Sequence, residues 1–335
     1  MSEYLSSPAE FSVELLSAGE EAMWGQALKD STNATIFHDL GFLAYHPSAR
    51  FEFHHLVVRR GSKVVSLVPG GVVLRSSGSW LVSPQGGSVG GPTFRARMPV
   101  EELIGVVSSI QAYTRQAGFS GVSVTIPPSP YSSPTTDVLS YALAATGFEL
   151  EERLYCHFLE LPSTENHSLH YSKSRRYEIK RGVASGLMAG ERDARDLGSF
   201  FEILLANFER FGADPTHSEE EMTDLFSRFQ GRARLFLCSN ESEDIAGIVL
   251  FQVTDSVANT FYICERPSYR GQGGTSVLLA HVTKVAADEG FRFLDLGPST
   301  HSGYVLNPGV ARFKESFGAT GFCRDTWSWQ TQDIG

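Results

Sequence analysis

The chain has 335 residues, with 28 basic side chains against 38 acidic ones and a formal net charge of -10. Its apolar fraction of 41% is ordinary for a globular protein, and no apolar run is long enough to span a bilayer, so we expect a soluble protein without a membrane partner. The acidic balance excludes a broad basic platform for nucleic acid.

The cysteines and the first residues point to a reducing compartment. The four cysteines are far apart and form no Cys-x-x-Cys pair, which predicts reduced thiols and no metal site; they are Cys156, Cys238, Cys264 and Cys323. The segment Met1–Leu5 has neither a basic start nor an apolar stretch of a secretion signal. We therefore expect a cytoplasmic protein.

The first half predicts strands followed by two helices that each lead into a strand. Helical spacing of apolar residues predicts the helices, and alternation predicts the strands. In chain order the elements are a hairpin around Arg60–Lys63, a glycine cluster at Gln85–Pro92, a helix at Val100–Ala117, a strand at Val122–Ile126, a helix at Val138–Ala145 and a strand at Leu154–Leu161. The polar stretch Leu161–Ser168, which contains a proline, predicts a join between two domains.

The second half predicts long helices, then strands, then a helix, a strand and a last helix. The helices extend to about Phe229. The later elements are strands at Ala233–Cys238, Ala246–Val253 and Ala258–Glu265, a glycine turn at Arg270–Gly274, a helix at Thr275–Glu289, a strand at Phe291–Leu296 and a helix at Val310–Phe317.

Two stretches of the chain repeat at an offset of about 172 to 174 residues. A helix ending at Gly118 and a following strand match a helix ending at Gly290 and a following strand, and both glycines stand at the left-handed position that ends helices. A second match links the helix before Gly147 to the helix before Gly321. The repeat predicts two similar α/β halves; the alternative is that helix, glycine and strand simply form a common α/β connection.

Only the second copy has a glycine turn before its repeated helix. At a strand-to-helix turn, successive glycines let backbone N–H groups converge on an anion, and the helix N-terminus adds partial positive charge. A diphosphate would fit there; the alternative is a tight turn without a ligand. The spacing matches neither a Walker A loop nor a Gly-x-Gly-x-x-Gly fingerprint.

The segment Pro267–Leu279, with Arg270-Gly271-Gln272-Gly273-Gly274, resembles the acyl-CoA motif of GNAT acyltransferases, Arg/Gln-x-x-Gly-x-Gly/Ala, except that Thr275 replaces the last Gly or Ala. Leu294–Gly297 and Asn307–Gly318 are similar to the C-terminal half of Fem-like transferases, which are double-GNAT proteins that include aminoacyl-tRNA-dependent peptidoglycan-bridge ligases. Ser172–Arg181 resembles the start of their second domain.

The resemblance implies an α/β (α+β) fold of two tandem GNAT-like domains, each with a mixed central sheet flanked by helices. Residues 1–162 would form a non-catalytic N-terminal domain that provides a substrate wall. Residues 163–335 would form the C-terminal domain for donor binding and catalysis.

Lys314 is the first candidate for catalysis, because Asn307 and Pro308 suit the start of a helix and place the lysine two turns later. In Fem-like enzymes a lysine there is thought to stabilise the oxyanion. Glu265 ends the strand before the glycine turn, where GNAT enzymes often hold a base that acts through water. Tyr262 is a weaker alternative, since it falls on the opposite face of an ideal strand.

The remaining candidates bind donor or acceptor. The resemblance assigns the donor to the turn residues Arg270, Gly271, Gln272, Gly273, Gly274 and Thr275. Within a basic cluster Arg175 and Arg176 are suited to hold a phosphate of substrate or RNA, unless they form a solvated helix face. His301 and Tyr304 precede the lysine helix and are placed to line an acceptor pocket.

These residues indicate an amide-forming N-acyltransferase that acts on a small-molecule, cell-wall or natural-product amine without a metal. The glycine turn and acidic surface favour acyl-CoA as donor; the lysine helix and duplication favour aminoacyl-tRNA, and we lean to acyl-CoA. A non-catalytic protein that binds a phosphorylated ligand in a cleft between the domains is the alternative class.

Overall fold

A computed structural model of the protein describes residues 10–47, 49–132, 137–161, 170–210 and 212–331. The chain divides into two compact units. Unit 1 comprises Met1–Leu154, Ser302–Tyr304 and Cys323–Gly335, and unit 2 comprises Tyr155–His301 and Val305–Phe322. Residues 162–168 of the predicted join lie outside the described residues, and the assignment of separate roles to 1–162 and 163–335 stays a prediction.

Unit 1 is built mainly from the first part of the chain. Its strands are β1 (Ser12–Leu15), β2 (Glu52–Phe53), β3 (Leu56–Arg60), β4 (Lys63–Val68), β5 (Gly71–Arg75), β6 (Gly78–Ser83) and β7 (Gly121–Thr125). Its helices are α1 (Glu21–Lys29), α2 (Leu40–Leu43), α3 (Val100–Gln116) and α4 (Asp137–Ala145). Strand β8 (Glu149–Glu160) contributes residues to both units.

Unit 2 alternates helices with longer strands. Its helices are α5 (Lys173–Ala184), α6 (Leu197–Glu209), α7 (Glu219–Arg228), α8 (Gly274–Asp288) and α9 (Pro308–Glu315). Its strands are β9 (Met188–Arg192), β10 (Ala233–Ser239), β11 (Asp244–Gln252), β12 (Val257–Glu265), β13 (Phe293–Pro298), β14 (Thr300–His301) and β15 (Val305–Leu306). Strand β16 (Thr320–Gln330) again contributes to both units.

Two sets of strands form the β-structure of unit 1. Strand β3 pairs antiparallel with β1 and β4. In the other set β2, β5 and β6 are antiparallel neighbours, β6 pairs parallel with β7, and β7 pairs antiparallel with β16. Helix α3 buries the apolar stripe that its sequence predicted, with Leu103, Val107 and Ile110 at most 3% exposed.

The sheet of unit 2 has the strand order β8, β13, β12, β11, β10, β9, and all neighbours are antiparallel except β12 and β13. Helix α8 covers one face, where its Leu278 and Val282 join a core with Phe236 and Ile248. Helix α6 lies against β11 and β12. A mixed sheet flanked by helices, as predicted, is confirmed.

The predicted repeat has a structural counterpart. Helix α3 leads into β7 as α8 leads into β13, and Gly118 and Gly290 take left-handed φ values of 77° and 86°. Helix α4 leads into β8 as α9 leads into β16, but the glycine that ends α9 is Gly318, with φ 86°, and not Gly321. The final strands are exchanged: β8 pairs with β13 in unit 2, and β16 pairs with β7 in unit 1.

One predicted element was wrong. The sequence indicated helices from the join to about Phe229, but Met188–Arg192 forms β9 after Gly186 ends α5 with φ 87°. Its residues pair with β10 from Leu235 to Ser239. The edge of β10 supplies the hydrogen bonds, so a segment with little strand pattern of its own becomes a strand.

Candidate active site

The candidate site begins where the two parallel strands of unit 2 stop pairing. The pairing of β12 with β13 covers Val257–Asn259 and Phe293–Asp295 and ends there. Immediately afterwards β12 bulges, because Thr260 and Tyr262 pair with consecutive residues of β11 and one residue between them is extra. Bulges of this kind turn a strand away from its neighbour. The end of β13 is therefore left to other partners.

Lys314 reaches the end of β13 from α9. Asn307 caps this helix, accepting a hydrogen bond from Val310 N, and Pro308 is its first residue, as the sequence predicted. The lysine is only 5% exposed, and its Nζ donates to the carbonyl oxygens of Gly297 and Pro298, at 2.8 Å each. The buried Nζ of Lys314 is thus fixed at the end of β13, beyond the residues of β13 that pair with β12.

His157 lies beside this lysine, and the sequence analysis missed it. Its Nδ1 is 2.8 Å from Ser299 Oγ. Among the described residues its buried Nε2 has no hydrogen-bond partner, and it lies 3.6 Å from Glu315 Oε1. Burial lowers the pKa of His157, and the Lys314 charge lowers it further, while Glu315 partly offsets these effects. The imidazole is therefore neutral at pH 7 and adds no second positive charge beside Lys314. The only sequence signal was one histidine within an apolar strand.

The glycine turn leads into α8 as predicted, and it already holds an anion of the chain. Gly273 caps the helix with φ 93°, and Gly274 is buried against Ile245. Glu265 Oε1 accepts a hydrogen bond of 3.2 Å from Thr275 N, one of the N–H groups at the helix N-terminus. Burial raises the pKa of the Glu265 carboxyl, although the Thr275 hydrogen bonds offset part of this rise.

A second carboxylate, Glu178 on α5, lies against the same turn. A Cβ placed on Gly273 would lie 3.3 Å from Glu178 Cγ, so the two residues pack closely, and the φ of 93° is the reason that glycine is favoured at this position. Glu178 Oε2 accepts from Arg175 Nη1 at 2.6 Å. The same guanidinium also donates to Ser276 Oγ on α8 and to Ser316 Oγ after α9, the latter at 2.9 Å. Arg175, predicted to bind substrate, joins three helical segments of unit 2 instead of facing solvent.

The structure brings some predicted site residues together and leaves others apart. Glu265, Gly273, Gly274 and Thr275 meet at the start of α8, whereas Lys314 contacts the end of β13. The following predicted residues are exposed: Arg176, Arg270, Gly271, Gln272, His301 and Tyr304. His301 belongs to unit 2 and Tyr304 to unit 1. Functional roles of all these residues stay predictions.

Tyr262 and Glu265 lie on opposite faces of β12, as the strand period predicted. Tyr262 contacts the ring of Phe200 on α6, and its hydroxyl is 2.8 Å from His217 Nδ1. Glu265 contacts the start of α8, which covers the other face. A catalytic site on the α8 face of the sheet can therefore use Glu265 but not Tyr262.

No group of three or more His, Cys, Asp or Glu side chains among the described residues is arranged to hold a metal ion. No helix in this part of the chain is long and apolar enough to cross a membrane.

Residues 173–315 match the acetyltransferase (GNAT) domain family. A search of curated protein sequences gives no significant match. Solved structures, however, match nearly the whole chain at low sequence identity.

The structure of FemX has a TM-score of 0.72 and 11% identity, with 96% of this chain and 97% of FemX covered. L-PGS from Bacillus licheniformis has a TM-score of 0.59 and 11% identity, covering 94% and 92%. A tandem GNAT protein from the clavulanic acid biosynthesis pathway has a TM-score of 0.55 and 14% identity, covering 97% and 100%. At these identities the likeness shows the fold. The domain match covers residues 173–315, and the likeness in fold to FemX extends over nearly the whole chain.

Proposed function

We propose that this protein is a GNAT-type acyltransferase that forms amides by moving an acyl group from an activated ester or thioester to an amine. The amine nitrogen attacks the acyl carbon and forms the C–N bond, while the carbonyl electron pair moves onto oxygen. Collapse of this oxyanion breaks the bond to the leaving group, which takes the electron pair, and the nitrogen passes its extra proton to a base or to the leaving group. No covalent enzyme intermediate is required.

The buried ammonium of Lys314 is the observation that carries this proposal. Two backbone carbonyls at the end of β13 hold its Nζ, so the charge needs no rearrangement during the reaction. A cation fixed next to a developing oxyanion, in a site shielded from water, contributes several kcal/mol to catalysis. His157 is neutral and therefore adds no second positive charge beside Lys314.

Two donors agree with this chemistry. GNAT domains generally use acyl-CoA, and the glycine turn led us to favour it from the sequence. An aminoacyl ester of tRNA is the other donor, supported by the FemX-like fold and by the lysine of α9. We propose a cell-wall precursor, an amino sugar or a natural-product amine as acceptor, and Glu265 remains a candidate base through water.

The test uses hydroxylamine as a small surrogate amine, which converts either donor to a hydroxamate. We expect the protein to accelerate discharge of acetyl-CoA or of an aminoacyl-tRNA mixture, and we expect Lys314→Met to lower that rate by about 100- to 1,000-fold. Methionine keeps the length of the side chain and removes the charge.

Lys284→Met is the matched control, because Lys284 is an exposed lysine of α8 paired with Asp288. This variant should retain the full rate. Equal rates for Lys314→Met and the unaltered protein would contradict the role of Lys314. Absence of any discharge by the folded protein would favour the non-catalytic binding protein.

A further inference from the structure

The N-terminus of α8 is the place where the glycine turn would hold the diphosphate of CoA, and an acidic side chain already occupies it. Glu265 Oε1 accepts the N–H of Thr275 at 3.2 Å, and a Cβ on Gly274 would lie 3.1 Å from the same oxygen. The carboxylate therefore lies against the first turn of the helix. A diphosphate would need the N–H groups that this carboxylate faces.

The surroundings of the turn reinforce this negative charge. Glu178 packs on Gly273, with its Cγ at 3.3 Å and its Oε1 at 3.8 Å from a Cβ placed there. Two carboxylates thus flank the two glycines that begin the helix. Their proximity agrees with the raised pKa of Glu265, to which burial contributes most and Glu178 also contributes.

The basic side chains nearby are already engaged or exposed. The guanidinium of Arg175 already donates hydrogen bonds to Glu178, Ser276 and Ser316. Arg181 Nη2 donates to the carbonyl oxygen of Gly271 at 2.8 Å. Arg270 is exposed, and its charge acts on Glu265 from solvent. A diphosphate at this turn would meet two carboxylates before it met an uncommitted buried cation.

We infer that Glu265, with Glu178, closes the α8 N-terminus to the diphosphate of acyl-CoA, so that the donor is an acyl ester whose carrier places no diphosphate at this turn. This inference rests on the proposed acyl transfer, and it narrows the class of acyl donor for that reaction. The space beside Gly273 and Gly274 is therefore filled by the side chains of Glu178 and Glu265, and not by a ligand.

Calorimetric titration with CoA itself tests this closure without turnover. We expect the unaltered protein to bind CoA no more tightly than about 1 mM. Glu265→Gln, which keeps the shape and removes the charge, should bind at least about tenfold more tightly, since like charges no longer oppose each other. Glu265→Ala, which also removes the bulk, should show the same gain. Circular dichroism checks that each variant is folded.

Glu241→Gln is the matched control, because Glu241 is an exposed glutamate of unit 2 outside the turn. It should bind CoA as weakly as the unaltered protein. Tight CoA binding by the unaltered protein, no gain in either Glu265 variant, or an equal gain in Glu241→Gln would each overturn the closure. Because the readout is binding, loss of hydroxamate formation would count against the proposed reaction and leave this result unchanged.

Discussion

Replacing Arg175 by glutamine should destabilise unit 2 rather than weaken substrate binding alone. Its side chain is 12% exposed, and its guanidinium bonds to Glu178 at 2.6 Å and to Ser316 at 2.9 Å, as well as to Ser276. The charge also lies 4.7 Å and 4.9 Å from the ring centroids of two α9-region phenylalanines, Phe313 and Phe317.

The magnitude follows from these partners. Hydrogen bonds to a charged group contribute about 1.5 to 3 kcal/mol each, but the three bonds share one guanidinium and are not additive. Glu178 is partly exposed and recovers some hydration after the substitution. We therefore expect a loss of about 3 kcal/mol in the free energy of unfolding for Arg175→Gln.

The assay can separate the two units optically. All four tryptophans belong to unit 1; they are Trp24, Trp80, Trp327 and Trp329. In urea, tryptophan fluorescence follows unit 1, whereas far-ultraviolet circular dichroism follows both. Arg175→Gln should lower the midpoint of the unit 2 transition by about 1 M at an unchanged slope, for a slope of about 3 kcal/mol per molar.

Arg176→Gln is the neighbouring control, because Arg176 is exposed on the same helix. Its unfolding free energy should stay within about 0.5 kcal/mol of the unaltered protein. Arg175→Lys should restore less than half of the loss, since an ammonium lacks the planar fork. If Arg175→Gln is as stable as Arg176→Gln, the structural role of Arg175 is refuted. The prediction that Arg175 binds substrate is then favoured again.

Two further predictions concern stability. Burial lowers the pKa of both His38 and His55 from 6.5 to about 4, so the unfolded state binds more protons between these values and stability falls as pH drops. Each histidine should contribute a loss of about 3 kcal/mol from pH 6.5 to 4, as tryptophan fluorescence would report. His38→Gln should therefore remove about half of this slope, and an unchanged slope would contradict the assignment. Gly318→Ala and Gly290→Ala share φ 86°, but only at Gly318 would the Cβ meet a neighbour, His170 Cβ at 2.6 Å. We expect Gly290→Ala to cost about 1 kcal/mol and Gly318→Ala at least about 2 kcal/mol more, and equal costs in urea would contradict the steric reason.

The sequence predicted local features of unit 2 well. The cap at Asn307 and the proline after it located Lys314 two turns into its helix, because capping depends on neighbouring residues. The partners of Lys314 were not predictable, since the carbonyls of Gly297 and Pro298 come within reach only through the packing of α9 on β13.

The glycine turn shows a different limit. Its geometry was predicted, and an acidic side chain does lie at the start of α8, where the partial positive charge of the helix N-terminus favours it. The sequence could not show that Glu265, ten residues earlier, supplies this anion. The same holds for His157, whose neighbours come from segments more than 140 residues away.

The strand exchange sets the order in which the protein can be completed. Strand β7 is antiparallel to β16 through contacts such as that between Thr125 and Thr326, 201 residues apart. At about 5 to 20 residues per second, the ribosome needs about 10 to 40 seconds to deliver that partner. During this time the hydrogen-bonding edge of β7 is uncovered, and uncovered edges invite pairing with other chains. The β7 edge of unit 1 is therefore complete only after β16 has been synthesised, and until then it is a place where pairing with another chain competes with the native strand.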